Sequence, residues 1–146
     1  MSDPVGQSDL GKFSPFEGMW LVAKPYLAET YAKVMDGRLL IPYSSDERRL
    51  TGHYFDCRVI NATLYCRFEH FDSARSGVTF LAVGSNGTLR GGRWTSDRLT
   101  ETDLENPSRW SIELPGMQAA VWIRILNKKT PAWAEKYFHD DWPNKA

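Results

Sequence analysis

Residues 51–72 read T-G-H-Y-F-D-C-R-V-I-N-A-T-L-Y-C-R-F-E-H-F-D. Two runs rich in aromatic and β-branched residues flank the dipeptide Asn61-Ala62. Asn at the first position of a two-residue loop tolerates the positive φ that a type I′ turn requires. The stretch therefore predicts a β-hairpin that turns at Asn61-Ala62.

This turn also predicts which residues face each other, because side chains alternate between the two faces of a strand. One face is mostly apolar and comprises Val59, Leu64, Cys57, Cys66, Phe55, Phe68, His53 and His70. The other face is charged and comprises Arg58, Tyr65, Asp56, Arg67, Tyr54 and Glu69. A slip of one residue would mix charged and apolar groups on both faces. We therefore expect the apolar face to line the core, with Cys57 opposite Cys66 and His53 opposite His70.

The charge balance argues against a polyanionic partner. The chain has 146 residues, which suits a single domain, and its 18 Lys and Arg residues equal its 18 Asp and Glu residues. Without a basic field, we expect neither nucleic acid nor a membrane as a partner. No signal-peptide pattern and no membrane-spanning apolar run is present, so we predict a cytoplasmic protein. In that reducing compartment the two cysteines would remain thiols.

The rest of the chain reads as further strands and turns. Residues 25–36 fit a helix by their apolar spacing, but Asp36-Gly37 is an equally strong hairpin turn, and we favour strands there. Thr130-Pro131 is typical of the start of a helix. We predict a flexible N-terminal arm at residues 1–14, a barrel domain at 15–127 and a C-terminal helix and tail at 128–146 that pack on the barrel.

Seven to nine strands joined as sequential hairpins are most simply arranged as a closed barrel, because closure removes exposed strand edges. We therefore predict a mainly β fold, a single antiparallel up-and-down β-barrel with a short C-terminal helix. A β-sandwich is the alternative. In the last predicted hairpin, which turns at Pro115-Gly116, alternation predicts Val121 on the core face and Arg124 on the solvent face.

The first and last strands carry features of a known group of proteins. Gly18-Met19-Trp20 opens the first strand, like the G-x-W that opens lipocalin barrels. Arg124 is a candidate for the basic residue of the last strand that closes over that Trp. With the meander of hairpins across residues 16–126, the chain resembles the calycins, the up-and-down barrels that include lipocalins and avidins. The resemblance implies an internal cavity that receives a small, mostly apolar molecule.

The sequence lacks the motifs of several enzyme classes. It contains no G-x-G-x-x-G or Walker loop, no C-x-x-C, no H-E-x-x-H and no G-x-S-x-G, so we expect neither cofactor nor metal. The pair His53 and His70 is the candidate catalytic site, because two neighbouring imidazoles can move a proton near neutral pH. The alternative is a pair of hydrogen-bonded histidines at the end of a core.

The candidate ligand-binding residues are Trp20, Phe55, Phe68, Trp94, Trp110 and Arg93. With Val121 they would line a barrel cavity that binds a small, mostly apolar or aromatic molecule without catalysis. The alternative is a cofactor-free enzyme, an isomerase, cyclase or lyase, in which His53 or His70 moves a proton and Arg93 stabilises negative charge. A third interpretation is an interaction module that uses an edge strand or the aromatic tail. The sequence leaves the formation of a homo-oligomer open.

Overall fold

The computed structural model describes residues 11–45, 49–71, 73–106, 110, 115–126 and 129–139. Within these ranges eight strands form one closed antiparallel barrel, in which each strand pairs with the next and the last pairs with the first. The strands are β1 (Gly18–Lys24), β2 (Ala28–Met35), β3 (Arg38–Ser44), β4 (Gly52–Ile60), β5 (Thr63–His70), β6 (Ser76–Val83), β7 (Thr88–Thr95) and β8 (Gln118–Ile125). The predicted up-and-down barrel is confirmed, and the sandwich is excluded.

Short helices flank the barrel. A 3-10 turn at Ser14–Phe16 precedes β1, α1 (Glu101–Glu105) follows β7, and α2 (Ala132–His139) follows β8. The predicted C-terminal helix is thus confirmed. It packs on the barrel through Trp133, Ala134, Tyr137 and Phe138. Among the described residues, no helix is both long enough and apolar enough to cross a bilayer.

Two hairpins follow the turn signals in the sequence. Strands β4 and β5 are joined at Asn61-Ala62, whose φ values of 52° and 64° belong to a type I′ turn. Strand β2 turns into β3 at Asp36-Gly37, where both φ values are positive. The strand interpretation of residues 25–36 is therefore confirmed over the helix.

The predicted register of the β4–β5 hairpin is right near its turn and wrong further away. The pairs next to the turn are Ile60 with Thr63, Val59 with Leu64 and Arg58 with Tyr65. A bulge follows, in which β4 has one residue more than β5 and Asp56 takes a φ of 51°. One extra residue exchanges the two faces of a strand. His53 therefore pairs with Glu69 and not with His70.

Residues 52–55 consequently point the opposite way from the prediction. Tyr54 pairs with Phe68 and belongs to the cluster that fills the barrel lumen. Its neighbours His53 and Phe55 point outwards. Asp at position 56 is one of the few residue types that tolerate the left-handed backbone of the bulge.

The predicted faces of β8 are also wrong. Ala120 and Trp122 are buried in the lumen, whereas Ile123 is 42 % exposed and Val121 lies on the same outer face. The outer set of β8 is wholly apolar, whereas the inner set contains Gln118 and Arg124 besides Ala120 and Trp122, so counting aliphatic side chains favours the wrong face. The lumen of an eight-stranded barrel is narrow enough for one indole to fill much of it. Arg124 consequently faces inwards rather than towards solvent.

Three hydrophobic clusters stabilise the molecule. The lumen cluster includes Trp20, Val22, Leu39, Ile41, Leu64, Leu81, Leu89 and Trp122. A second cluster, between α2 and the outer face of the barrel, includes Tyr31, Met35, Leu40, Phe71, Trp133 and Tyr137. A third cluster covers the outside of β6 and β7 and includes Val78, Phe80, Trp94 and Trp110.

The two ends of the barrel differ in their connections. The connections at the closed end are residues 36–37, 61–62 and 84–87. Residues 11–16 lie over this end, with Phe13 and Phe16 buried against the lumen cluster. The described residues of the connections at the open end are 25–27, 45 and 49–51, 71 and 73–75, and 96–106, 110 and 115–117. Because longer connections carry most binding sites, the open end is where a site is expected.

Candidate functional site

A cavity of about 270 Å³ enters the lumen from the open end. We call it the open-end cavity. Its lining residues are Val22, Pro25, Tyr26, Leu27, Ala28, Tyr43, Ser45, Tyr54, Phe68, His70, Arg75 and Arg93. Eight of these twelve are aliphatic or aromatic, with polar groups at a few points among them, which is the usual composition of a small-molecule site.

Arg93 is the most unusual residue of this cavity. It lies on β7 with its side chain turned into the lumen, and it is 7 % exposed. Its guanidinium carbon stands 4.4 Å from the centroid of the Phe68 ring. Its Nε and Nη2 atoms are buried and have no hydrogen-bond partner among the residues that the structure describes. A buried charge whose donors are unsatisfied is costly, so such a group calls for an explanation.

The mouth of the cavity is formed partly by residues 25–27, which join β1 to β2. The Tyr26 ring is close to two guanidinium groups: its centroid is 5.3 Å from the Cζ atom of Arg93 and 5.7 Å from that of Arg75. Tyr26 is 47 % exposed and Leu27 is 70 % exposed. An open depression lined by Tyr26, Arg75, Ser76, Ser96 and Asp97 continues outwards from this mouth. Tyr26 therefore separates the cavity from the rim.

Two tyrosines stand deeper in the wall. Burial raises the pKa of Tyr54 to about 12, although the charge of Arg93 opposes this effect. Burial also raises the pKa of Tyr43 well above its usual range, with Arg93 again acting in the opposite sense. Tyr43 Oη donates to the backbone oxygen of Glu69 at 3.3 Å. Both phenols are protonated at neutral pH, so neither neutralises Arg93.

His70 lines the cavity, as predicted for the inner face of the hairpin. Its ring meets the Tyr43 ring edge-on, with the centroids 5.4 Å apart. On β5 it follows Phe68 at the two-residue spacing that keeps side chains on one face. It is the only histidine among the described lining residues.

His53 is fully buried on the opposite side of the barrel wall, beneath α2. Its Nε2 lies 2.9 Å from Glu69 Oε1, and its Nδ1 lies 2.6 Å from Tyr137 Oη. A carboxylate can only accept, so Nε2–H donates to Glu69 and Nδ1 accepts from the Tyr137 hydroxyl. Burial lowers the pKa of His53, and the hydrogen bond and charge of Glu69 offset this only in part. The neutral imidazole thereby joins α2 to β5.

The other predicted site residues occupy three different places. Phe68 lines the open-end cavity, and Trp20 is buried in the lumen near the closed end. Phe55 lies outside, stacked on His53 with ring centroids 4.9 Å apart. Its prediction as a cavity wall is wrong because the bulge turns it outwards.

Trp94 and Trp110 do not line the lumen either. Trp94 pairs with Val78 and packs outside β6 and β7. Its neighbour Arg93 takes the inward position, and alternation then forces the indole outwards. Trp110 lies in the same outer cluster, with its ring centroid 5.8 Å from that of Tyr65. The aromatic content of a strand indicates burial but not which side of the barrel the ring occupies.

Arg124 closes over Trp20 at the closed end, as the resemblance implies for the basic residue of the last strand. Its guanidinium carbon stands 4.1 Å from the centroid of the Trp20 ring. Its Nη1 donates to the Glu17 carbonyl at 2.8 Å and its Nη2 to the Pro15 carbonyl at 2.9 Å. The Trp20 indole in turn donates to the Phe16 carbonyl at 2.9 Å. These bonds fasten the N-terminal segment across the barrel.

Several cavity residues were not among the sequence predictions. They are Tyr26, Tyr43, Tyr54 and Arg75. For Tyr43 a signal exists, since Leu39, Ile41 and Tyr43 alternate along β3. For Tyr54 the signal is masked by the bulge. Among the described residues, no three His, Cys, Asp or Glu side chains are grouped as metal ligands.

Comparison with known proteins finds no family model, no curated protein and no solved structure that matches this chain. The closed eight-stranded antiparallel barrel is compatible with a calycin-like fold. The function of the protein is therefore inferred from the residues of the cavity itself.

Proposed function

We propose that the protein binds a small, mostly apolar or aromatic molecule in the open-end cavity and does so without catalysis. One observation carries the proposal: a cavity of about 270 Å³ enters the barrel lumen between aromatic and aliphatic side chains. An apolar cavity of about 150 Å³ holds one benzene ring in a protein core. The volume therefore suits a single ring with a short substituent. We also propose that the protein is a calycin and that it is cytoplasmic.

The test is a titration of the full chain with small aromatic molecules, followed by amide NMR. Binding in the cavity is expected to shift resonances of β5 and β7 at the open end, including those of Phe68 and Arg93. Resonances of the closed-end turn at Asn61-Ala62 serve as the internal control and are expected to stay in place. Shifts confined to the outer face, or none with any compound, would refute the proposal.

A second candidate is a cofactor-free isomerase, cyclase or lyase acting in the same cavity. The observation in its favour is that His70 lines the cavity together with Tyr43, Tyr54 and Arg93. His53 takes no part, because it is bonded beneath α2 on the other side of the wall. An enzyme of this kind would use His70 as its proton carrier.

Binding and catalysis separate in the variant His70→Gln. For a binding protein, compounds that bind the wild type are recovered unchanged after long incubation, as judged by mass spectrometry and NMR. For an enzyme, they are converted, and His70→Gln lowers conversion far more than affinity. Conversion that survives His70→Gln would remove His70 from the reaction.

A further inference from the structure

The open-end cavity contains two positively charged side chains. Arg93 and Arg75 both line it, and the described lining residues include no Asp or Glu. The nearby Glu69 carboxylate is on the outer face, where it accepts a hydrogen bond from His53. Among the described residues of the lining, none therefore supplies an anionic partner for the Arg93 guanidinium.

We propose that the ligand of the open-end cavity is a small monocarboxylate with an apolar or aromatic body, whose carboxylate is bound by the buried Arg93. This inference rests on the proposed function and specifies the chemical class of the ligand. The unsatisfied Nε and Nη2 atoms of Arg93 are two neighbouring donors of one guanidinium. Two neighbouring N–H groups of Arg are the geometry that binds the two oxygens of a carboxylate.

The charge count favours a carboxylate over a phosphate. A phosphate monoester carries more than one negative charge near neutral pH, whereas the buried part of the cavity offers the single guanidinium of Arg93. Arg75, the other arginine of the lining, is exposed, and its guanidinium carbon stands 5.7 Å from the Tyr26 ring centroid. One buried cation matches one buried anion, and a second charge on the ligand would remain uncompensated.

The position of Arg93 also indicates how the ligand lies. Its guanidinium carbon stands 4.4 Å from the Phe68 ring centroid, so the carboxylate would be held next to that ring. Tyr54 packs against Phe68 with ring centroids 5.8 Å apart. The apolar body of the ligand would then contact these rings and Val22, while Tyr26 covers the mouth.

The experiment compares three ligands of one shape: 3-phenylpropanoate, 3-phenylpropanamide and 3-phenylpropylamine. Their affinities for the full chain are measured by calorimetry or NMR titration at neutral pH. We expect the carboxylate to bind at least tenfold more tightly than the amide, and the amine more weakly than both. In Arg93→Met the carboxylate is expected to lose that advantage while the amide keeps its affinity.

Two further variants test whether the paired donors of Arg93 account for the preference. Arg93→Lys retains the charge without the paired donors and is expected to keep only part of the preference. Arg90→Met, an exposed position on the same strand, is expected to keep all of it. The Arg93 Nε–H resonance of the wild type gives a readout without mutation: it is expected to shift with the carboxylate and not with the amide.

The outcomes separate the two proposals. If the amide binds and the carboxylate binds no more tightly, the cavity is a binding site but the carboxylate inference is wrong. The inference is also wrong if the preference for the carboxylate survives in Arg93→Met. If none of the three ligands binds the wild type, the proposed function fails and the inference fails with it.

Discussion

The barrel turns one arginine inwards near each end, and the two are treated very differently. Arg124, at the closed end, lies over Trp20 and donates to the carbonyls of Glu17 and Pro15. Arg93, at the open end, lies over Phe68 in the same manner, but two of its nitrogen atoms have no hydrogen-bond partner within the described part of the chain. The ring contact is common to both, so the difference lies in the hydrogen bonds.

This difference separates the structural role of Arg124 from the binding role that we propose for Arg93. The bonds of Arg124 fasten the N-terminal segment to β8, and they are satisfied within the chain. Arg93 has the same chemistry, but its Nε and Nη2 atoms have no acceptor among the described residues, which a bound carboxylate is proposed to supply. Sequence alone does not distinguish the two arginines, because each stands one position from a large apolar residue on its strand.

The largest expected effect comes from removing the partnered arginine. Arg124→Met should lower the free energy of unfolding by about 2–4 kcal/mol, because two carbonyl groups lose a charged donor and Trp20 loses its covering group. Chemical denaturation measures the change, with the exposed substitution Arg90→Met as the matched control. A cost no greater than that of the control would contradict the structural role of Arg124.

The next largest effect is expected at Gly18, which lies on the other side of the contact with Arg124. Gly18 has a φ of 107°, and a Cβ atom there would lie 2.8 Å from Arg124 Nη1. Gly18→Ala should therefore cost about 2 kcal/mol, from backbone strain and displacement of the guanidinium. The first G of the G-x-W pattern is thus explained by the approach of Arg124.

Gly37→Ala is the control for Gly18→Ala, since Gly37 also has a positive φ, of 75°, but nothing lies within 4 Å of an added Cβ. We expect it to cost about 1 kcal/mol, from the backbone alone. In the Arg124→Met background, the loss of unfolding free energy caused by Gly18→Ala should fall to that caused by Gly37→Ala. Equal costs of the two glycine substitutions in the wild type would show that the guanidinium contact is unimportant.

A third buried group is His53, whose imidazole is neutral and hydrogen-bonded at both nitrogen atoms. Its contribution to stability should depend on pH. Burial lowers its pKa below the usual 6.5, so below pH 6.5 the unfolded chain binds a proton that the folded chain does not. The free energy of unfolding should therefore fall as the pH is lowered from 6.5, by at most about 1.4 kcal/mol per pH unit.

Denaturation of the wild type and of His53→Gln between pH 7.0 and 5.5 measures this contribution. Gln has no titratable group, so the variant should lose the part of the slope that His53 supplies. Identical slopes would mean that His53 takes up its proton in the folded protein as readily as in the unfolded one.

The smallest expected effect belongs to Arg93 itself. Arg93→Met should leave the free energy of unfolding unchanged or raise it by up to about 1 kcal/mol, because it removes a buried charge with unsatisfied donors at the loss of one ring contact. The same denaturation experiment measures it in the absence of ligand. A loss comparable to that of Arg124→Met would mean that Arg93 is structural, and the asymmetry between the ends would disappear.

The sequence predicts much of this fold because its turns have chemical signatures. Asn61-Ala62 and Asp36-Gly37 form the hairpins that their turn residues indicate. The barrel then follows from the need to remove edges. The site was harder to predict, because it depends on which side of the wall each side chain takes.

Two features explain why the predicted side-chain faces of β4 and β8 are wrong. The bulge at Asp56 carries no stronger signal than an Asp in a strand, yet it turns four residues over and separates His53 from His70. On β8 the outer set is wholly apolar while the inward set includes Gln118 and Arg124, so periodicity indicates the wrong face for Trp122 and Arg124. Arg93, a predicted ligand-binding residue, lines the cavity, but its unsatisfied donors are visible only once the barrel is closed.

The bulge has a consequence for how this chain can change. Residues 52–55 and 58–60 belong to one strand but alternate in opposite phase, so deletion of the single residue Asp56 would bring them into one phase. Such a deletion would remove the bulge and leave the present pairing intact, with Tyr54 opposite Phe68 in the lumen and His53 opposite Glu69 beneath α2. A one-codon deletion would therefore regularise β4 without moving His53, whereas bringing His53 opposite His70 requires a regular β4 that keeps Asp56.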